Sequence, residues 1–137
     1  MNLDLAADLV FTALCLFREA RGEAYQTKLG VAWVVRNRVE RRKRPAMEIV
    51  TAPWQFSGLT APGDPNLVKF PKRSDAAWRE CLSVVDQVFG ETPGKDPTLG
   101  SDHYLDISIP DEKLPTWADS SKFTVKLGRI KFYRLEG

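Results

Sequence analysis

The chain of 137 residues has one histidine, two cysteines and no CxxC pair. A structural zinc site draws its ligands from closely spaced Cys and His, so no centre of that class is expected. Cys15 and Cys81 each fall inside an apolar helical pattern, which reads as two buried free thiols. Whether they pair cannot be deduced from spacing.

Long apolar runs are missing too. The stretch from Leu9 to Phe17 is nearly all apolar but too short to cross a bilayer. Asp4 and Asp8 precede it where a secretory signal would carry positive charge, and no small-residue cleavage site follows. It reads as a buried core helix, in a protein made in the cytoplasm without an export signal of its own. Net charge is also small: 20 Lys and Arg against 18 Asp and Glu leave +2. Such mild basicity suits an anionic partner and falls short of what argues for nucleic acid. No repeat or low-complexity tract divides the chain, and one domain over residues 1–137 is expected.

What is present is an ordinary globular composition, 43% hydrophobic and 28% charged. Leu5, Leu9, Ala13, Leu16 and Ala20 recur at helical spacing, and apolar residues fill much of the remaining faces. That predicts a central helix stopping near Gly22. A second helix is expected from about Tyr25 to Arg42, with Leu29, Ala32, Val35 and Val39 as its stripe. Gly30 inside it weakens the helix or marks close packing against the first. Ala46 to Val50 reads as one short turn, and the proline-punctuated stretch from Ala52 to Lys72 as a long loop. Ser74 is the expected N-cap of a further helix carrying Trp78, Cys81, Leu82, Val85, Val88 and Phe89. The last third reads as extended, with Tyr104, Ile107 and Ile109 strand-like and a hairpin from Phe123 to Tyr133 turning at Gly128-Arg129. The fold class is therefore α+β, a helical body with a small antiparallel sheet near the C-terminus.

Among residues able to carry chemistry, Glu19 comes first. It ends a helix otherwise given to the core, where apolar neighbours favour a protonated carboxylate suited to general acid work. Read from the residues alone, it is equally a helix-end carboxylate paired with Arg18 or Arg21. Glu23 would share its face if the helix continued, but Gly22 is expected to break it.

Glu19-Ala-Arg-Gly-Glu23 also opens a series of motifs. Gly30-Val-Ala-Trp-Val-Val-Arg-Asn-Arg-Val39, Gln55-Phe56-Ser57, Asp96-Pro-Thr-Leu-Gly-Ser-Asp-His-Tyr104, Pro115-Thr-Trp-Ala118 and the strand from Leu127 to Tyr133 follow in order. Together they resemble the cell wall hydrolase family typified by the spore cortex-lytic enzyme SleB, over about residues 10 to 133. The resemblance implies a lysozyme-like fold. It further implies cleavage of peptidoglycan glycan strands between N-acetylmuramic acid and N-acetylglucosamine, by a lytic transglycosylase or a muramidase, with Glu19 as the catalytic acid. A lytic transglycosylase needs no second protein carboxylate, because the sugar's own 6-hydroxyl attacks. No cofactor is implied.

The sequence departs from the family pattern in places. Gly58-Leu59-Thr60 stands where a Trp-Asn pair usually follows, Ile130 stands where the closing strand usually has histidine, and Leu105-Asp106 follows His-Tyr. These leave room for Asp102 or Asp106 as a second carboxylate in a hydrolytic mechanism. By position in the motifs, Gln55, Ser57, His103, Tyr104, Glu23 and Trp117 are the candidate substrate-binding residues. Trp54 and Trp117 serve equally as sugar platforms or core. Asn37 and Arg38 read as buttresses, and the basic run from Arg36 to Arg44 as a solvated helix face. The resulting expectation is a monomeric, endolysin-type enzyme acting at the wall after release through a separate pore, or equally a bacterial or tail-associated wall-remodelling enzyme. A wall-binding or virion structural domain and a basic nucleic-acid-binding domain are the competing classes.

Overall fold

A computed structural model describes residues 2–52, 56, 63 and 70–137. Helix α1 spans Leu3–Ala20, and the Asn2 side chain caps it by accepting from the Asp4 and Leu5 amides. Helix α2 spans Tyr25–Arg42 and closes on Lys43, whose left-handed backbone (φ 55°) lets its N–H reach the Val39 carbonyl. A short α3, Ala46–Thr51, follows Pro45. Helix α4 spans Ala76–Val88.

Asp75, not Ser74, caps α4, its carboxylate accepting from the Ala77 amide. The helix buries Cys81, Val84, Val85 and Val88, while Leu82 is turned outward. Strands β1 (His103–Asp106), β2 (Phe123–Leu127) and β3 (Ile130–Tyr133) form one antiparallel sheet in the order β1-β3-β2. The hairpin turns at Gly128-Arg129 as expected, with Leu127 opposite Ile130. Ile107 and Ile109 are not in a strand. β1 stops at Asp106, whose carboxylate takes the Ser108 amide and turns the chain.

The central helix is α2 rather than α1. Helix α2 is buried nearly all round, Thr27 to Val35 without interruption, and Asn37 and Arg38 are buried beyond it. The N-terminal half of α1, by contrast, leaves Leu3, Leu5, Val10 and Phe11 exposed. Gly30 packs on the sheet, not on α1. A Cβ placed there would lie 2.7 Å from Phe132 Cζ and 3.2 Å from Leu127 Cδ1.

Two apolar clusters flank α2. One joins α1, α2, α4 and β3 around Leu16, Val34, Val85 and Phe132, and the other joins α1, α2 and α3 around Cys15, Val35, Val50 and Phe56. Each such fully buried large side chain contributes about 1.5–3 kcal/mol. Tyr104 of β1 packs against both clusters, so the sheet edge is fixed relative to the end of α1. Both cysteines are free and buried, and burial pushes the Cys81 thiol up to about 11.

Candidate active site

Glu19 is the penultimate residue of α1. Arg18 and Ala20 on either side of it are buried, whereas Glu19 itself is partly exposed. It borders a cleft of about 620 Å³ whose opposite wall is β1, supplying His103, Tyr104 and Asp106. Arg38 of α2, Trp117, Pro115 and Ile130 complete the lining. Glu19 also borders a smaller hollow of about 280 Å³, shared with Arg18, Arg21 and Gly22. An apolar hollow of about 560 Å³ between α1 and α4, lined by Leu9, Val10, Leu82 and Val85, lies away from these groups and offers them no chemistry.

The cleft is electrostatically connected. Burial pushes the Tyr104 hydroxyl well above its ordinary value, and the Glu19 charge pushes in the same direction. Arg38 is almost fully buried. Its Nε donates to the Asp102 carbonyl at 2.6 Å, and its guanidinium lies over the Phe56 ring. Burial lowers its pKa. Asp106 is held below the usual carboxylate range despite the opposing effect of burial, because it accepts from Ser108 and Arg129.

Behind β1 lies a knot of charge. Asp102 is fully buried, and its carboxylate accepts from His103 Nδ1 (2.8 Å), Arg41 (2.9 Å) and the Leu135 and Glu136 amides. Burial alone would raise the Asp102 pKa; these hydrogen bonds outweigh it and hold the carboxyl below its usual range. Glu136 completes the knot by pairing with Arg42. Ligand atoms of Asp102, His103 and Glu136 lie within 4.8 Å of one another. Arg41, Arg42 and two backbone amides already occupy these carboxylates, and the two positive charges oppose a cation there.

A profile of the family described as Cell Wall Hydrolase matches residues 22–133. The chain belongs to the cell wall hydrolase family. Two solved structures share its fold. One is the catalytic domain of the Bacillus cereus SleB protein (TM-score 0.66, 24% identity, covering 94% of this chain and 91% of that one). The other is the catalytic domain of the germination-specific lytic transglycosylase SleB from Bacillus anthracis (TM-score 0.64, 24% identity, 93% and 94%). No curated protein matches. At that identity the likeness speaks for the fold, a lysozyme-like α+β arrangement. The family match opens at Gly22, so it is the structure that sets Glu19 against the matched segment.

Of the residues singled out from sequence, this cell wall hydrolase brings Glu19, His103, Tyr104, Trp117 and Asp106 to one cleft. Glu23 lies beside the β2–β3 turn, where its Oε2 is 3.3 Å from the position of a Cβ on Gly128, and it does not line the cleft. Asp102 faces the knot and is closed to the cleft. Gln55, Ser57 and Trp54 lie outside the described residues.

Asn37 acts as a buttress. It donates to Asp96 and to the Ser101 carbonyl, while Asp96 holds the Thr98 and Gly100 amides. Most of the basic run is not a solvated face, and of its basic residues only Lys43 and Arg44 at its end are exposed. Arg36 reaches the Val88 carbonyl, Arg38 and Arg41 reach Asp102, and Arg42 reaches Glu136. Arg38 as a cleft residue was missed by sequence reasoning. Its only signal was a charge placed next to the apolar stripe of a helix.

Proposed function

We propose that this cell wall hydrolase cleaves the glycan strand of peptidoglycan between N-acetylmuramic acid and N-acetylglucosamine, with Glu19 as general acid. The observation that carries this reading is that Glu19, at the end of α1, lines the same cleft as His103, Tyr104 and Trp117, where a glycan chain would meet its carboxylate. Glu19 protonates the glycosidic oxygen as the bond to C1 breaks. Trp117, in a tilted contact with the His103 ring at 4.8 Å, offers an aromatic face for a sugar ring.

Within this reading the enzyme is a lytic transglycosylase, the activity named for the Bacillus anthracis neighbour. The muramic acid 6-hydroxyl attacks C1 and leaves a 1,6-anhydro end. Withdrawal of Asp102 from the cleft favours this over a reaction using that carboxylate. An endolysin-type role at the wall is the accompanying biological proposal.

The test is mass spectrometry of products from purified peptidoglycan, with Glu19→Gln alongside. Anhydro ends with wild type and none with the variant are the expected result. Reducing muramic acid ends would make the enzyme a muramidase and direct attention to Asp106. Release of glycan fragments by Glu19→Gln at the wild-type rate would remove Glu19 from the chemistry.

A further inference from the structure

His103 is the only histidine of the chain, and its ring is held at both its edge and its face. Its Nδ1 lies 2.8 Å from Asp102 Oδ1, and Trp117 packs on the ring at 4.8 Å. Asp102 is in turn immobilised by Arg41 and by the Leu135 and Glu136 amides. An ionised, buried carboxylate can only accept, so it selects the tautomer with the proton on Nδ1. The lone pair is then on Nε2, at the edge of the ring turned away from Asp102. Among the described residues Nε2 has no hydrogen-bond partner, and the side chain keeps 16% exposure. The same ring lines the cleft that Glu19 borders. A buried aspartate holding an imidazole in one tautomer is the arrangement that makes histidine a general base.

We propose that His103 is a second catalytic residue, the base that deprotonates the attacking oxygen, and that Asp102 is its positioning residue. The inference rests on the glycan-cleaving reading above and divides the proton work of that reaction. Glu19 gives its proton to the glycosidic oxygen, and the C1–oxygen bond breaks with its electron pair leaving on the departing N-acetylglucosamine. The 6-hydroxyl oxygen bonds to C1 and its proton passes to His103 Nε2. The imidazolium is stabilised by Asp102 through Nδ1–H. Loss of that proton to water, and uptake of one by Glu19, returns both groups to their starting states. The charged groups around the ring are Asp102 on its own side, Arg38 and Arg41 from α2, Glu136 from the C-terminal segment and Glu19 across the cleft.

The experiment combines kinetics with nitrogen-15 NMR, in which a single histidine needs no assignment. Muropeptide release from purified peptidoglycan is measured against pH for wild type, His103→Gln, Asp102→Asn and Glu19→Gln. Expected are an Nδ1–H tautomer at neutral pH, and an acid-side loss of wild-type activity whose midpoint coincides with the NMR titration of His103. His103→Gln should lose about 10²–10⁴-fold in kcat while still sedimenting with peptidoglycan, and the acid-side limb should move with it. Asp102→Asn, where it folds, should show the same loss with the tautomer reversed. Should variants at either site fail to fold, the tautomer and the coincidence of midpoints in wild type decide the matter. An Nε2–H tautomer, non-coincident midpoints, or a His103→Gln enzyme with wild-type rate beside an inactive Glu19→Gln would overturn the base and leave Glu19 working alone. A fully active Glu19→Gln would instead bring down the underlying reading.

Discussion

Gly30 of α2 and Phe132 of β3 are in contact so close that a methyl group on Gly30 would come within 2.7 Å of the ring's Cζ. Phe132 is fully buried, so the ring has nowhere to go without moving the sheet. Since β3 sits between β1 and β2, this contact sets the height of the cleft wall over α2. Gly30→Ala gains up to about 1 kcal/mol in helix propensity but costs about 1–3 kcal/mol in overpacking. A net loss of stability is expected, read from the urea midpoint at unchanged m-value. A more stable variant would show that helix and sheet can separate freely.

Asp102→Asn should be among the costliest single changes in the chain. It leaves Arg41 without its buried partner, at a cost of about 3–5 kcal/mol. The pH dependence follows from the direction of the shift. Asp102 is held below its unfolded value, so its contribution is complete above the unfolded range near about pH 4 and is lost as pH falls toward the folded value. Glu136, held down by Arg42, acts in the same sense. Thermal melting of wild type should therefore fall on acidification below about pH 4, and Asp102→Asn should flatten that fall. Equal slopes in the two proteins would count against the knot.

Most of the basic run is built into the protein, and no nucleic-acid affinity is expected of it. Arg36, Arg38, Arg41 and Arg42 already hold carbonyls and carboxylates of α2, α4, Asp102 just before β1, and the C-terminal segment. Fluorescence anisotropy with duplex DNA should show no tight binding at about 0.15 M salt. Arg44→Ala, removing an exposed pair with Glu48 at 3.8 Å, should alter stability by less than about 0.5 kcal/mol. Tight DNA binding with a steep salt slope would revive the nucleic-acid reading.

Trp117→Ala should weaken substrate binding more than chemistry. The indole packs on His103 and, edge-on, on Tyr133 at 5.4 Å while lining the cleft. Loss of an aromatic face corresponds to about 0.5–1.5 kcal/mol, or up to about tenfold in KM. If kcat fell and KM did not, the role of Trp117 would be to hold the His103 ring and not the sugar.

Short-range features were legible in the chain because their causes are local. The limits of α2, the helical turn after Pro45, and the hairpin at Gly128-Arg129 all follow from periodicity and from residues that stop or reverse the backbone. Glu19 stood out because a charged group at the end of an apolar helix is locally conspicuous, and the ordered motifs pointed to the family. What required the tertiary structure was everything whose partner is distant in sequence. Asn37 meets the Ser101 carbonyl 64 residues away, and Arg42 meets Glu136 across 94 residues. Periodicity marks which side of a helix is apolar but not how many neighbours cover it, so α2 read as a striped helix with a solvated basic face although it is the buried centre. Nor does a carboxylate beside a histidine in sequence reveal which of them opens to solvent. Asp102 read as a candidate second carboxylate, and only packing places it: a buried charge must be fully hydrogen-bonded, and the partners that satisfy it draw it away from the cleft and leave His103 lining it.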